Sequence, residues 1–600
     1  MAKTTKSGGK RGGGTGASNG ETLPSGQRAA RGYLRGLQNY GDPDFSVYLR
    51  RAFARSMGYS MDELARPIIG IANTYSRFNP CHRHFPELVD AIKRGIQSAG
   101  GLALEFPTIS VHESTLQPNS MKFRNLMAMD TEEMVRAQPM DAVVLMGGCD
   151  KTVPAQLMGA ASAGKPAIQL IGGPQMTGRY NEHRVGACTD CRKFWVEYRA
   201  GRMSKQEIED AEGRLVTTAG TCAVMGTAST MAAIAESLGM TLPGTAAIPA
   251  VHADRLRAAE ATGAAAVRLV HSNLTPDQII TQKSLDNATR VLLALGGSTN
   301  GVVHLAAIAG RLGLTLDLNR FNELSDTTPV LAAVKPVGNE FYMEDFYAAG
   351  GIGAVLRELK PLLHLDCMTV AGETLGDRLQ AEETIWVDRR VIKPASEPIE
   401  PEGGLVALFG SLAPEGAIIK RSAATPALFE KTGRAVVFTS LDDMNERVDD
   451  PDLDVTEDDF LILQNVGPAS PASMPEAGFL PIPKKLLRQG VKDMVRMSDA
   501  RMSGTAYGTI ILHIAPESWI GGPLAFVRTG DRIRLSVKER RLDLLVDDAE
   551  LQKRRDAWTK EKRPLPDRGY DRLFRESVLQ APQGADFAFL VKGGASRAKA

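Results

Sequence analysis

Apolar and polar positions along this chain fall into two textures. From about residue 30 to about residue 390, short unbroken apolar runs end in glycine or polar turns: PIIGIANTY (67–75), DAVVLMGG (141–148) and KPAIQLIGG (165–173). Between them lie segments whose apolar residues recur at helical spacing, such as HFPELVDAIKRGIQSAGG (84–101) and TASTMAAIAESLGM (227–240). Unbroken apolar runs of this length read as buried strands, and strands alternating with helices predict a parallel α/β sheet. Ligands of such sheets sit beyond the carboxyl ends of the strands. After about residue 390 the runs become short and closely spaced between Gly, Pro and Asp turns: GGLVALFGSLAPEGAIIK, GRAVVFTS, DFLILQNVG, GTIILHIAPES and DRIRLSVKERRLDLLV. That rhythm predicts a mostly β barrel or sandwich. A charged helical segment, DDAELQKRRDAWTKEKR, follows. The expected organisation is a tail over 1–29, an α/β domain over 30–390, and a β-barrel-like domain with a C-terminal tail over 391–600.

Six hundred residues exceed what one core usually serves, which agrees with this division. The N-terminal MAKTTKSGGKRGGGTGASNG and the C-terminal GGASRAKA are too polar and glycine-rich to order themselves. Against a basic nucleic-acid arm stands the charge of the whole chain, +1 from 71 basic and 70 acidic residues, which creates no field for nucleic acid or an anionic membrane. No apolar stretch reaches the length of a membrane span and no secretory signal opens the chain, so a cytoplasmic protein is expected. Six cysteines are too few for a disulfide framework in so long a chain and suggest a reducing compartment.

Three of them stand at predicted strand ends ahead of helical patterns: Cys81 in RFNPCHRHF, Cys149 in GGCDK and Cys222 in AGTCAVMG. They would converge at one edge of an α/β domain, where helix N-termini favour thiolates. Three thiolates cannot close a four-thiolate zinc site. They can hold an iron–sulfur cluster with one position left open as a Lewis acid, and three small buried core cysteines are the plain alternative. Cys188 and Cys191 form a C-x-x-C in GACTDCRKFW, either half a zinc site or a redox pair, and Cys367 reads as structural. Asp150, beside Cys149, suits Mg²⁺, with Glu113 in VHESTLQPNS and Glu476 in SPASMPEAG as partners. Lys151 would repel a dication as an ammonium and could ligate only as a carbamate. In RMSDARMSGTAYGT, Ser503 is followed by Gly504 and Thr505, whose backbone can approach an anion closely.

Together, Asn79-Pro80-Cys81, Gly147-Gly148-Cys149-Asp150-Lys151, Gly220-Thr221-Cys222, GGSTN at 296–300 and the Ser503 loop resemble the dihydroxy-acid/sugar-acid dehydratase family (IlvD/Edd). The likeness spans about residue 30 to about residue 590. FRNLMAMDTEEMVRAQPMDAVVLMGGCDKTVPAQ and GACTDCRKFW look closest to its pentonate branch, the L-arabinonate and D-xylonate dehydratases. The resemblance implies cluster ligation by Cys81, Cys149 and Cys222. The cluster is [2Fe–2S] in that branch, although three cysteines fit [4Fe–4S] equally. It further implies Mg²⁺ on Glu113, Asp150, carbamylated Lys151 and Glu476, Ser503 as the base, and substrate contacts from Thr152, Ser503, Gly504 and Thr505. The implied reaction dehydrates a 2,3-dihydroxy sugar acid to the 2-keto-3-deoxy acid, in a homodimer or homotetramer. Action on the branched-chain precursor 2,3-dihydroxyisovalerate, alone or alongside sugar acids, is the alternative. A zinc hydrolase built on His82 and His84, with His252, His271 or His304, is the rival from another enzyme class.

Overall fold

A computed structural model describes residues 32–381, 386–558 and 563–593 of the chain. The tail over 1–29 and the last seven residues of GGASRAKA lie outside the described residues. The three apolar runs of the first texture become strands β1 (Ile68–Asn73), β3 (Ala142–Gly147) and β4 (Ala167–Ile171), joined by β2 (Leu102–Pro107). They form one parallel sheet in the order β2-β1-β3-β4. The run LALEFP of β2 carries a mid-strand glutamate and half-buried positions, as an edge strand does, which weakens its apolar signature. Helices Phe85–Ser98 and Ala253–Ser272 cover the sheet. They meet backbone to backbone, since a Cβ at Gly95 would sit 1.9 Å from the Glu260 carbonyl. A short hairpin, β5 (Gly178–Tyr180) and β6 (His183–Val185), precedes a long helical stretch that reaches Ala381.

The second texture builds one eight-stranded sheet from β7 (Val406–Leu408), β8 (Gly416–Ile419), β9 (Glu430–Phe438), β10 (Phe460–Leu463), β11 (Arg496–Ser498), β12 (Ile510–Ala515), β13 (Arg532–Ser536) and β14 (Arg541–Leu544). Its order is β14-β13-β9-β10-β11-β12-β8-β7. The Phe409 N–H donates to the Arg540 carbonyl (2.9 Å), which draws the end of β7 to the start of β14 and nearly closes a barrel. The central strands β9 to β12 run parallel, an arrangement that the short turn-like spacing did not suggest. Both faces are apolar for a physical reason: Val437, Phe460 and Ile462 point into one core, whereas Val436, Phe438, Leu461 and Leu463 belong to a second. Strands buried on both sides show no hydrophobic alternation.

The last segment turns back onto the helices of the first half, where Arg124 donates to the carbonyls of Gly584 and Ala585. Among the described residues no helix is long and apolar enough to cross a membrane.

Candidate active site

Loops leaving the carboxyl ends of parallel strands in both sheets supply the site: Cys81 after β1, Glu113 after β2, Cys149 to Lys151 after β3, Glu476 after β10 and Ser503 after β11. Cys222 departs from this pattern. It follows no regular strand; Thr221 bridges to Pro174, just beyond β4, and holds Cys222 there. The expectation that all three cysteines sit at strand ends is therefore corrected for Cys222.

His82 organises the turn that carries Cys149. Its Nδ1 donates to the Thr74 carbonyl (2.8 Å), and its Nε2 accepts from the N–H groups of Gly148 (3.1 Å) and Cys149 (2.9 Å). Burial pushes the imidazole down to about 3, so it is neutral, as those bonds require. His84 bonds the Gly172 carbonyl through Nε2. His252 caps Asp254, and His304 accepts from Arg124. Among the described residues none of His82, His84, His252, His271 and His304 belongs to a group of donor atoms close enough to share a metal ion, so the zinc arrangement is not formed.

Among the described residues, two constellations are tight enough to hold a metal: Cys81, His112 and Cys149, with donor atoms within 4.8 Å of one another, and Glu113, Asp150 and Glu476, within the same limit. Cys81 and Cys149 share a hydrogen bond that lowers Cys81 to about 6 and raises Cys149. His112 is raised despite its burial, because the Cys81 thiolate and the carboxylates beside it favour the imidazolium. Cys222 lies close enough to feel the charge of Cys81, but its sulfur touches Cys188, 3.3 Å away.

The carboxylates are gathered by cations. The buried Arg501 guanidinium donates to Glu476 (2.7 Å) and to Glu113 (2.7 Å). Lys151, fully buried, pairs with Asp150 and lies 3.6 Å from Glu113. Burial raises Glu113, but Arg501 and Lys151 outweigh it and pull the carboxyl down to about 2. Burial and the charge of Glu113 push Glu476 up to about 7. Three carboxylates at this spacing, one of them forced toward the neutral acid, mark a site built for more positive charge than the side chains supply.

Ser503 sits on the crossover from β11 to β12, and its Oγ shares a hydrogen bond with Thr505 Oγ1 (2.8 Å). The loop rests on GGSTN: a Cβ on Gly504 would lie 2.6 Å from the Ser298 side chain and 2.7 Å from the Thr227 nitrogen. Asn300 donates to the Met502 carbonyl (3.1 Å) and Thr189 to the Thr505 carbonyl (2.9 Å). The Thr152 hydroxyl, at the start of the helix after Lys151, is buried and has no hydrogen-bond partner among the described residues. Lys420, fully buried, points its ammonium nitrogen at the Gly504 carbonyl (3.4 Å), and burial lowers it to about 7.

Residues 66–378 match the dihydroxy-acid/6-phosphogluconate dehydratase N-terminal region and residues 390–585 match the C-terminal region of the same family. The chain belongs to that family. Its relatives include the L-arabinonate dehydratase of Rhizobium leguminosarum, 44% identical over 93% of this chain and 96% of the relative. The L-arabonate dehydratase of Azospirillum brasilense is 45% identical over 94% and 98%. The 6-deoxy-6-sulfo-D-gluconate dehydratase of Pseudomonas putida is 41% identical over 94% and 97%. As a member of the dihydroxy-acid/6-phosphogluconate dehydratases, the protein is a hydro-lyase.

Sequence reasoning missed His112, Arg501 and Lys420. His112 precedes Glu113 directly, and Arg501 lies two residues before Ser503. Their placement beside the singled-out residues was the available signal, but nothing local tells an inward-facing loop cation from a solvated one. GGSTN was noticed without a role; it is the floor of the Ser503 loop.

Proposed function

We propose that this dehydratase removes water from a 2,3-dihydroxy sugar acid, with L-arabinonate as the leading candidate, to give the 2-keto-3-deoxy acid. The observation that carries the reading is the junction at β3. Cys149 belongs to the sulfur constellation, and its neighbour Asp150 belongs to the carboxylate constellation, so one turn faces a soft site and a hard site together. A 2,3-dihydroxy acid has two oxygens that need separate activation, the 2-hydroxyl beside the carboxylate and the departing 3-hydroxyl.

The carboxylate set is sized for the ion that the resemblance implies, and Cys81 and Cys149 offer two of the three cluster thiolates, with Cys222 outside their tight group. Cys81, Cys149 and Cys222 would hold an iron–sulfur cluster, [2Fe–2S] in this reading. Glu113, Asp150 and Glu476 would hold Mg²⁺, with Lys151 as a fourth oxygen donor once its amine is carbamylated. When bound, the two supply Lewis acidity of different softness to the two hydroxyls.

The chain's own residues do the rest. Ser503 Oγ takes the C2 proton as an alkoxide, and the Thr505 hydroxyl donates to that oxygen while it carries the charge. The partnerless Thr152 hydroxyl and the backbone of Gly504 and Thr505 orient the substrate carboxylate. Arg501 holds Glu113 and Glu476 in place from behind. Sequence identity to sugar-acid dehydratases over most of the chain supports the substrate class.

The test is an anaerobic keto-acid assay of the iron- and sulfide-reconstituted protein over L-arabinonate, D-xylonate, D-gluconate and 2,3-dihydroxyisovalerate. The expected result is turnover of a pentonate with the highest kcat/KM. Preference for 2,3-dihydroxyisovalerate would move the enzyme to the branched-chain reaction.

A further inference from the structure

The dehydration reading leaves the C-x-x-C unused. Cys188 is the N-cap of the helix Thr189–Arg199 and Cys191 lies in its first turn. The Cys188 sulfur stands 3.3 Å from that of Cys222 and is also hydrogen-bonded to the Cys191 thiol, so it lies between the other two. The contact is built, not incidental. Asp190, between the two cysteines, accepts from the Gly186 N–H (2.9 Å), the Lys335 ammonium (3.0 Å) and the Tyr342 hydroxyl (2.8 Å). Thr189 ties the same turn to the Ser503 loop. All three cysteines are partly exposed, and Cys191 lines a cavity of about 480 Å³ bordered by Trp195, Phe479 and Tyr507, a route for a small oxidant. Cys367 has no such company; it is buried with Asn287 as its polar neighbour.

We propose that Cys188 and Cys191 form a dithiol relay that returns Cys222 to the reduced state after attack by a peroxide. In the first step the Cys222 thiolate attacks a peroxide oxygen, the O–O bond breaks, and Cys222 becomes a sulfenic acid with release of water. In the second step the Cys188 thiol, 3.3 Å away, attacks the Cys222 sulfur, the S–O bond breaks, a second water leaves, and a Cys188–Cys222 disulfide forms. In the third step the Cys191 thiolate attacks Cys188, the bond to Cys222 breaks, and Cys222 leaves as a thiolate. In sum, one peroxide is reduced to two waters and the Cys188/Cys191 dithiol is oxidised to a disulfide. Cys222 ends as it began. The relay draws on the dehydration reading only for the reason Cys222 must stay reduced, its place among the cluster ligands.

The experiment treats the full-length reconstituted protein, and its Cys188→Ser and Cys191→Ser variants, with hydrogen peroxide. Free thiols are then alkylated, and peptides are mapped without reduction. In the unaltered protein the Cys188 and Cys191 sites carry the bridge, read as a peptide about 2 Da lighter than its dithiol form, and Cys222 is alkylated. Cys191→Ser traps the Cys188–Cys222 bridge. Cys188→Ser has no bridge, and its Cys222 accumulates as the sulfinic acid. Alkylated Cys222 in the peroxide-treated Cys191→Ser protein overturns the relay, as does a bridge between Cys81 and Cys149 in place of these. Equal oxidation of Cys222 with and without Cys188 overturns it too. The readout is peptide mass, not keto-acid formation, so failure of the substrate assignment leaves this test intact.

Discussion

The neutral His82 ring satisfies two buried N–H groups of the turn that carries Cys149. Replacing it with alanine leaves both donors unmet, each costing about 1–3 kcal/mol. His82→Ala is therefore expected to lower unfolding stability by about 2–5 kcal/mol in urea and to release iron more readily. Glu476 is raised from 4.5 to about 7 in the folded protein, so the folded state binds the extra proton between those values. Its contribution is fully present below pH 4.5 and is lost as pH rises through about 7. Glu113 works the other way: lowered to about 2, it contributes above pH 4.5 and its share is lost as pH falls through 2. Without a divalent ion, melting temperature is thus expected to fall between pH 4.5 and 7. Mg²⁺, which favours ionised carboxylates, should flatten that fall. A profile unchanged by Mg²⁺ removes Glu476 from the ion site.

At the scale of elements, the Ser503 crossover is fixed by its contact with GGSTN. Gly504→Ala would drive a methyl group into Ser298 and the Thr227 backbone. The expected outcome is a folded protein with an unaltered visible spectrum and a kcat lower by about 10²-fold or more, since displacements of an ångström cost this much at a reacting centre. This is also the scale at which the sequence was most and least readable. Unbroken apolar runs marked β1, β3 and β4, and Gly- and Pro-bounded runs marked most barrel strands, because burial on both faces leaves a strong local signature. β2 was hidden by its edge position and β11 by its length of three residues. The parallel order of β9 to β12 was illegible, because pairing depends on contacts distant in sequence. Cys81, Cys149, Asp150, Glu113 and Glu476 were legible as residue types at turns. That Arg501 would link two of them is a fact of tertiary placement, as is the meeting of Cys222 with Cys188.

The whole molecule is closed by its own C-terminal segment. Arg311 reaches Glu132 (3.0 Å) and Asp586 (3.1 Å), all three buried, so the final turns are bolted to the helices beneath the site. Arg311→Met strands two buried carboxylates and is expected to cost about 3–5 kcal/mol, read as a shift in the urea midpoint. Site residues from both sheets are spread over some 420 residues, from Cys81 to Ser503, and this closing segment follows about 80 residues later.

The two proposed metal sites share the turn after β3, where their donors Cys149 and Asp150 are neighbours. Metal analysis of reconstituted Asp150→Asn, alongside its turnover of L-arabinonate, tests this most directly. Iron and sulfide at the level of the unaltered protein, loss of bound Mg²⁺ and loss of keto-acid formation are expected. Full turnover with Mg²⁺ retained, or loss of iron together with Mg²⁺, would contradict this arrangement.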